Sequence, residues 1–343
     1  MYSENPSDFP NVRFPFANLV AGATQLTIHK PLAVIRKTKH NQITMKHSKV
    51  LNYVIILLIL IISSTSLFGQ KLEPKKRVLE PDHTISSEIM DKDYKLYISF
   101  PNGYSNENAT SYPVLYVVDG QQCFESFKSA YWSMNLENGS WLEDFIIVGI
   151  GSGDNLKSWV IDRTYEFNPY PNTTVGAYWD NLLKLPDGTV KLGGAAKFLD
   201  CIKTELVPFI EKNYKTNDDR GIYGHSYGGT FASYALVNSP DFFNRYGIHS
   251  PSYQNENEEL ISQIEKQFEQ NELKTDGPTK VYLSVGDSDI PGFRTQLTKL
   301  CKNLENKNYK NTVWTWQVFE DETHYSVVPI SISRTIRELY RKK

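Results

Sequence analysis

A five-residue turn between an apolar run and a helix-like run constrains the fold of this 343-residue chain more than any other feature. Residues 224–228 read G-H-S-Y-G, an instance of the pattern G-x-S-x-G. The preceding R-G-I-Y is typical of the end of a buried strand, and residues 229–236 have helical composition. Glycines flank the serine because a side chain at either place would clash across a sharp turn. The pattern predicts that Ser226 lies at a strained strand-to-helix turn with its hydroxyl exposed.

The five letters also occur in ordinary Gly- and Ser-rich turns, so a function requires further groups elsewhere in the chain. A serine hydroxyl is a poor nucleophile without a base that takes its proton. His324 lies in a loop predicted between the last strand and the last helix, from where it can reach Ser226. We therefore predict His324 as the base, with a surface histidine as the alternative. His225 is held in the turn itself, and His249 ends a strand.

An acid that orients the histidine is expected after a strand between Ser226 and His324. Residues 285–289 read V-G-D-S-D and offer two aspartates. Asp289 extends further past the strand end, so we predict Asp289 as the acid and keep Asp287 as the second candidate. The alternative is that both are solvated turn residues, which would leave a Ser–His dyad.

An oxyanion hole needs two backbone N–H groups aimed at the developing negative charge. The first is predicted at Tyr227, immediately after the serine and at a helix N-terminus. The second is predicted at Gln121, in the V-D-G-Q-Q stretch that follows an apolar strand. An ordinary turn at Asp119-Gly120 would explain the same glycine.

The remaining patterns predict an α/β fold with a mostly parallel central sheet and helices on both faces. Continuous Val/Ile/Leu runs indicate strands that are covered on both sides, and amphipathic stretches alternate with them. A half-exposed strand is predicted at 83–98. Further strands are predicted at 112–120, 144–151, 243–250, 280–286 and 312–319. Helices are predicted at 195–214, 255–272, 293–307 and 329–341.

Composition limits the classes of function. An apolar fraction of 40% supports a real core, and a net charge of −2 provides no electrostatic reason to expect nucleic acid as a partner. Cys123, Cys201 and Cys301 are too few and too scattered for a disulfide framework, and we expect them to be buried and inert. No Cys/His spacing indicates a metal site, so neither a metal nor a cofactor is predicted.

The N-terminal region predicts export. Residues 45–69 have a basic start, an apolar run at 50–62 and a small-residue tail, which is the pattern of a secretory signal peptide. A membrane anchor is the alternative, but the apolar run is short for a span of about 20 residues. We predict cleavage near Gly69, no stable membrane span afterwards, and a periplasmic or secreted protein. Because a signal peptide should begin a chain, residues 1–44 are interpreted as a mis-assigned or disordered extension.

The domain organisation follows from these segments. Residues 70–82 are polar and contain proline, so they are predicted to be a flexible lead-in. Residues 83–343 are predicted to form one catalytic domain, without an internal repeat.

Several blocks together resemble the family named "putative esterase" (esterase D-like) among the α/β-hydrolases. That family includes siderophore trilactone esterases, feruloyl esterases and S-formylglutathione hydrolases. The resemblance runs from about residue 85 to 340. Its blocks are Y-P-V-L-Y-V-V-D-G at 112–120, G-G-A at 193–195 with F-L at 198–199, E-L-V-P-F-I at 205–210, G-H-S-Y-G-G at 224–229 and S-P-S at 250–252.

A further stretch resembles a loop of the siderophore-esterase-like members. Residues 163–169 read R-T-Y-E-F-N-P, whereas those members usually have R-x-x-D-x-x-P, so Glu166 replaces the usual acid. Arg163 is predicted either to hold an anionic substrate or to form a structural ion pair. Residues 170–195, with Tyr178 and Trp179, are predicted to line or cover the substrate pocket.

The sequence therefore predicts an exported serine esterase that acts on a small-molecule carboxylic ester through an acyl-enzyme on Ser226. An acyltransferase with the same chemistry and a non-catalytic binding protein with the same fold are the alternatives. Siderophore-like lactones, aryl esters and short acyl esters are all open as substrates. The sequence does not indicate an oligomeric state.

Overall fold

The computed structural model describes residues 79–107, 109–136, 141–253, 258–270, 278–305, 307, 309 and 311–342. The predicted extension and signal peptide lie outside the described residues, and the predicted lead-in is described only from Leu79 onward. Among the described helices, none has both the length and the hydrophobicity needed to cross a membrane.

In the described part of the chain, strands and helices alternate after an initial pair of strands. The strands are β1 His83–Ser87, β2 Lys92–Ser99, β3 Tyr112–Val118, β4 Ile146–Gly151, β5 Thr216–His225, β6 Arg245–His249, β7 Thr279–Gly286 and β8 Thr312–Phe319. The helices are α1 Gly120–Met134, α2 Leu156–Phe167, α3 Thr173–Leu183, α4 Ala195–Cys201, α5 Val207–Asn213, α6 Tyr227–Asn238, α7 Glu258–Gln270, α8 Pro291–Glu305 and α9 Val327–Tyr340. A π-helical segment, Ile202–Leu206, joins α4 to α5.

The strands form one eight-stranded sheet in the order β1-β2-β4-β3-β5-β6-β7-β8. β1 pairs antiparallel with β2 and β2 antiparallel with β4, whereas the other neighbours are parallel. The carboxyl ends of β3 to β8 therefore lie along one edge of the sheet, where the loops and helix starts that follow them meet. The predicted fold class, α/β with a mostly parallel sheet, is confirmed.

Both faces of the sheet are covered. Alternate residues of β3 pack into two different cores: Val114 and Tyr116 belong to one hydrophobic cluster, and Leu115 and Val117 to the other. This alternation explains why β3 has no polar residue, since neither face meets solvent. The three cysteines are buried and unpaired, as predicted, and burial raises the pKa of the Cys123 thiol to about 12.

The stretch predicted as a single strand at 83–98 is instead a hairpin of two strands. The chain turns at residues 88–91, where Asp91 has φ 54°. The carboxylate of Glu205 accepts hydrogen bonds from the N–H groups of Glu88 and Ile89 at 3.0 and 3.1 Å, which holds this turn. The partner that holds it comes from a distant helix, so the local alternation of residues does not reveal the break.

The helix predicted at 195–214 is present with an interruption. The π-helical segment separates α4 from α5, and Pro208 is the second residue of α5. Proline has no N–H to donate to the carbonyl four residues earlier, and its ring crowds that carbonyl. A local widening of the helix relieves this conflict without ending the helix.

Candidate active site

The predicted turn around Ser226 is a sharp junction between a strand and a helix. β5 ends at His225, α6 begins at Tyr227, and Ser226 between them has φ 60° and ψ −124°. Residues other than glycine rarely adopt such a conformation, which costs about 1–3 kcal/mol. A Cβ on Gly224 would lie 2.0 Å from the carbonyl oxygen of Gly228, so the glycine at position 224 is required. The junction presents the serine hydroxyl at the carboxyl edge of the sheet.

The imidazole of His324 reaches the serine from the loop between β8 and α9. Its Nε2 lies 3.0 Å from Ser226 Oγ. Three rings pack around this buried imidazole, with centroid distances of 4.6 Å to His225, 5.0 Å to Tyr325 and 5.3 Å to Phe293. Because the ring is enclosed in this way, few orientations are open to it.

Asp289 extends the contact into a chain of three hydrogen-bonded side chains. Its Oδ1 lies 2.8 Å from His324 Nδ1, and its Oδ2 accepts a hydrogen bond from Ser250 Oγ at 2.6 Å. Burial raises the pKa of the Asp289 carboxyl, but hydrogen bonds from His324 and Ser250 lower it by more, so the pKa lies below its ordinary value. A carboxylate only accepts hydrogen bonds, so His324 Nδ1 carries a proton and Nε2 can accept the proton of Ser226.

The second candidate acid, Asp287, lies outside this chain of hydrogen bonds. Its N–H donates to the carbonyl of Phe319 at 2.9 Å, and its own carbonyl accepts from Arg294 at 2.7 Å. The N–H of Asp289 donates back to the carbonyl of Gly286 at 3.4 Å, so the backbone turns between the two aspartates. This turn gives the two carboxylates different neighbours, and only Asp289 contacts the histidine.

Two other histidines near the junction are buried and uncharged. Burial lowers the pKa of His225 to about 3 and lowers that of His249 well below its ordinary value. The ring nitrogens of His249 lie 2.6 Å from Ser284 Oγ and 2.7 Å from Thr335 Oγ1. The carbonyl of His249 accepts a hydrogen bond from the N–H of Ser226 at 3.0 Å, which ties the junction to β6.

The two N–H groups predicted for an oxyanion hole lie in the first turns of two helices. α6 begins at Tyr227, and α1 begins one residue before Gln121. N–H groups in a first helical turn have no acceptor within the helix. A Cβ on Gly228 would lie 3.0 Å from Val118 Cγ2, so the start of α6 touches the end of β3. The structure therefore brings the two helix starts together beside Ser226.

An ordinary turn at Asp119-Gly120 was the alternative from sequence, and the structure has the start of α1 there. Asp119 precedes the helix with φ 55°, and a Cβ on Gly120 would lie 2.6 Å from the backbone of β4. The side chain of Gln121 turns away and donates to the carbonyl of Ser152 at 2.8 Å. The amide side chain of Gln121 is therefore engaged by Ser152, whereas its backbone N–H lies in the first turn of α1.

Arg163 lies in a buried ion pair. Its Nε and Nη2 donate to Oδ1 and Oδ2 of Asp119 at 3.0 and 2.9 Å, and Trp159 Nε1 adds a third donor at 2.9 Å. The guanidinium packs over the rings of Trp159, Phe167 and Tyr227 at 4.9, 5.5 and 5.3 Å. Burial lowers the pKa of Arg163, but the Asp119 carboxylate raises it by more. These contacts favour the ion-pair alternative over a contact with an anionic substrate.

Glu166 is also buried and anchors the same helix to the antiparallel part of the sheet. Its carboxylate lies 2.5 Å from Lys92 Nζ and 2.6 Å from the hydroxyl of Tyr94. Burial raises the pKa of Glu166, and the charge of Lys92 offsets only part of this effect. The sequence predicts a loop at 163–169, whereas Arg163 and Glu166 lie on α2 and fix it through two ion pairs.

Aromatic side chains lie near Tyr227, the residue that follows the serine. Tyr178 and Trp179 lie on α3, and Trp179 Nε1 donates to the hydroxyl of Tyr227 at 3.3 Å. Tyr178 is 55% exposed and packs edge-to-face on Trp179 at 5.5 Å. Tyr325 follows the histidine and is 78% exposed. That Tyr178 and Trp179 line the substrate pocket stays a prediction.

Two side chains in contact with this region were not among the predicted site residues. Ser250 belongs to the S-P-S block that carries part of the family resemblance, so a signal for it existed without a role. Trp159 had no sequence signal, because its hydrogen bond joins it to Asp119, which lies 40 residues earlier.

The sheet order and the strand–serine–helix junction define the α/β-hydrolase class. The sequence profile of the family described as "Putative esterase" matches residues 87–326, more than half of the chain, and the chain belongs to this family. The predicted activity class, hydrolysis of carboxylic esters, is therefore confirmed.

Individual relatives agree with the family. The ferri-bacillibactin esterase BesA of Bacillus subtilis is 26% identical over 260 residues, which cover 74% of this chain and 86% of that protein. The apo-salmochelin esterase of Escherichia coli is 27% identical over 174 residues, half of each chain. The crystal structure of the BES protein from Bacillus cereus is similar with a TM-score of 0.67 and 28% identity, covering 76% of this chain and 95% of that one.

Proposed function

We propose that this chain is an exported serine esterase that forms an acyl-enzyme on Ser226. The hydrogen-bonded chain from Ser226 through His324 to Asp289, with distances of 3.0 and 2.8 Å, carries the proposal. Nucleophile, base and orienting acid need this order and these distances to act together. Membership of the esterase family supplies the class of bond that is cleaved.

In the acylation step, Ser226 Oγ attacks the ester carbonyl carbon while His324 Nε2 takes the hydroxyl proton. The same nitrogen then transfers that proton to the oxygen of the departing alcohol, and the acyl group stays on the serine. Asp289 accepts the Nδ1–H and stabilises the imidazolium between these transfers. Water attacks the acyl-enzyme by the same route, and the acid and free Ser226 are released.

The backbone N–H groups of Tyr227 and Gln121 bind the negative oxygen of the tetrahedral intermediate. Both groups are at helix starts, where the N–H groups and the helix dipole favour negative charge. Arg163 acts indirectly in this scheme, because its ion pair with Asp119 holds the residue that precedes α1. No bound cofactor takes part in any step.

The substrate class that we propose first is a siderophore-like ester. Two relatives are named as esterases of ferri-bacillibactin and apo-salmochelin, and this chain has exposed aromatic rings at Tyr178 and Tyr325. Aryl esters and short acyl esters are the comparison classes. Rates measured side by side on bacillibactin, methyl ferulate and p-nitrophenyl acetate would rank the three classes, and a kcat/KM for bacillibactin below both others would contradict the siderophore assignment.

The location outside the cytoplasm rests on residues 45–69. Their basic start, apolar run and small-residue tail support cleavage near Gly69 by a signal peptidase. Mass spectrometry of the mature protein from its native host should find an N-terminus near residue 70. An N-terminus that retains residues 45–69 would contradict export by cleavage.

Replacement of the nucleophile tests the central claim. We expect Ser226→Ala to lower kcat for p-nitrophenyl acetate by about 10⁴- to 10⁶-fold, as loss of a catalytic serine does elsewhere, with unchanged circular dichroism. Ser129→Ala, at an exposed serine on α1, is the matched control and should keep full activity. A fluorophosphonate probe should add its mass to the peptide that contains Ser226. Full activity of Ser226→Ala would overturn the assignment, and transfer of the acyl group to added glycerol in preference to water would indicate an acyltransferase.

A further inference from the structure

The segment that follows β6 lies between the ends of the two strands that lead to Ser226 and Asp289. β6 lies between β5, which carries Ser226, and β7, which leads to Asp289. The residues directly after β6 are therefore positioned to contact both the nucleophile and the acid. They are Ser250, Pro251 and Ser252.

At one end of this segment, Ser250 binds the acid. Its Oγ donates to Asp289 Oδ2 at 2.6 Å, on the oxygen that His324 does not use. Ser250 is 0% exposed, so neither water nor a substrate can take its place on that oxygen. Its backbone N–H donates to the carbonyl of Ser284 on β7 at 2.8 Å, which fixes the residue against the strand that leads to the acid.

Ser250 holds an uncommon backbone conformation in order to make this contact. Its φ is 43°, in the left-handed region that favours glycine and asparagine. A buried serine in this region is strained unless its surroundings hold it there, and such positions cluster at functional sites. Glycine would relieve the strain but would have no hydroxyl for Asp289.

At its other end, the segment binds the helix of the nucleophile. The N–H of Ser252 donates to Thr230 Oγ1 at 3.0 Å, and the N–H of Thr230 donates to the carbonyl of Ser226 at 3.0 Å. The carbonyl of Ser252 lies 3.1 Å from the same threonine hydroxyl. Three residues thus connect the acid to the first turn of α6 through buried hydrogen bonds.

We infer that Ser250 is a positioning residue for the proposed acid: its hydroxyl holds Asp289 in the orientation in which the carboxylate receives the Nδ1–H of His324. This inference rests on the proposed function, in which Asp289 orients the base. It adds a fourth side chain to the hydrogen-bonded chain of Ser226, His324 and Asp289, and it assigns a role to the S-P-S block.

The chemistry of a carboxylate explains the need for such a residue. The terminal torsion of an aspartate is broad, so a carboxylate bound at one oxygen can rotate. His324 and the N–H of Ile290, at 2.8 and 2.6 Å, both bind Oδ1, which leaves Oδ2 to Ser250. Without Ser250, Oδ2 would be buried with no donor among the described residues, and the carboxylate would either turn away or take up a proton more readily.

Substitution of Ser250 should lower kcat and leave KM unchanged, because the residue is buried and cannot touch the substrate. We expect Ser250→Ala and Ser250→Gly each to lower kcat by about tenfold, the size expected for the loss of one hydrogen bond to a charged group. Ser331→Ala, which removes a buried hydroxyl from α9, is the matched control and should keep kcat.

The glycine variant distinguishes the effect of losing the hydroxyl from the effect of backbone strain at position 250. If the hydroxyl is what matters, glycine and alanine lower kcat equally, although glycine accepts φ 43° without strain. Restored activity in Ser250→Gly alone would mean that the residue acts through its backbone conformation, and the inference would be overturned.

The pH dependence of kcat/KM provides a readout that a purely structural role would not change. The groups that face Asp289 are His324, Ser250, the N–H of Ile290 and, more distantly, the uncharged His225; Asp287 lies on the same loop. With one donor lost, Asp289 holds a proton at higher pH, and a protonated Asp289 cannot accept from His324. The acid limb of the profile should therefore move to higher pH in Ser250→Ala and stay in place in Ser331→Ala.

A double-mutant cycle completes the test. If Ser250 acts only through the acid, Ser250→Ala should cause no further loss in an Asp289→Asn background. An undiminished tenfold loss in that background, or a wild-type kcat and pH profile for Ser250→Ala alone, would overturn the inference. Either result leaves the proposed esterase standing as long as Ser226→Ala is inactive, and an active Ser226→Ala would instead remove the proposed function itself.

Discussion

Two aspartates at the carboxyl edge of the sheet are buried to the same extent but have different partners. Asp119 follows β3, Asp289 follows β7, and each is 6% exposed. Asp119 receives both Nε and Nη2 of Arg163, whereas Asp289 receives Nδ1 of His324. The similarity of burial means that the partner, and not the depth, decides what each carboxylate can do.

The difference lies in the proton. A guanidinium stays charged at any pH that a folded protein meets, so the Asp119–Arg163 pair can only hold the chain in place. An imidazole can accept and release a proton, so the Asp289–His324 pair can take part in proton transfer. One pair holds fixed charges, and the other contains a group whose charge changes in the proposed mechanism.

The largest effect is expected from a substitution in the Asp289–His324 pair, which transfers protons in the proposed mechanism. Asp289→Asn should lower kcat by about 10³- to 10⁴-fold, because an amide can donate to Nδ1 and so favour the wrong tautomer of His324. The free energy of unfolding should change far less than the activity. Steady-state kinetics with p-nitrophenyl acetate and urea unfolding would measure the two quantities. Asp287→Asn is the matched control on the same loop, and equal activities of the two variants would indicate a Ser–His dyad.

The next largest effect is expected from a substitution in the buried Asp119–Arg163 ion pair. Arg163→Met leaves the buried Asp119 carboxylate without its cation and should lower the free energy of unfolding by about 3–5 kcal/mol. The double variant Asp119→Asn/Arg163→Met removes both charges and should regain much of that loss. Urea unfolding of the two variants beside the wild type would test this. A single variant as stable as the wild type would show that the ion pair does not hold this region.

The smallest effect concerns acid stability and comes from His225, whose ring packs against that of His324. Its pKa is about 3 in the folded chain, against an ordinary value of 6.5. Between these two values the unfolded chain binds a proton that the folded chain does not. The free energy of unfolding should therefore fall by about 1.4 kcal/mol for each pH unit of acidification through this window from His225 alone.

His225→Gln has no such proton to bind, so its stability should fall less steeply between pH 6.5 and 3. Urea unfolding at pH 6.5, 5.5 and 4.5 would compare the slopes of the variant and the wild type. His249, whose pKa is also lowered, is present in both proteins and contributes equally to them. Identical slopes would show that His225 is not kept neutral by the fold.

The hydrogen-bonded chain of Ser226, His324 and Asp289 was largely predictable from sequence. The partners of Arg163 and Glu166 were not. Ser226 lies in a five-letter pattern, and His324 and Asp289 follow in the chain order that this pattern implies. The preference for Asp289 over Asp287 needed only the position of the strand end, because Asp289 lies two residues further past β7 than Asp287.

The role of α2 could not be read in the same way. Arg163 and Glu166 put charges on buried positions of a helix, so the apolar period that indicates a helix is broken there. Their partners Asp119 and Tyr94 lie 44 and 72 residues earlier, a separation over which local patterns carry no information. The contact of Ser250 with Asp289, across 39 residues, was hidden for the same reason.

The backbone of Ser226 has a consequence for how such a chain evolves. At φ 60° and ψ −124°, the backbone would be less strained with glycine than with serine, but glycine has no hydroxyl. On the proposed mechanism, a descendant released from the need to hydrolyse esters could replace this serine and become more stable. On that mechanism, the chain keeps a strained residue at a cost in stability because catalysis requires its hydroxyl.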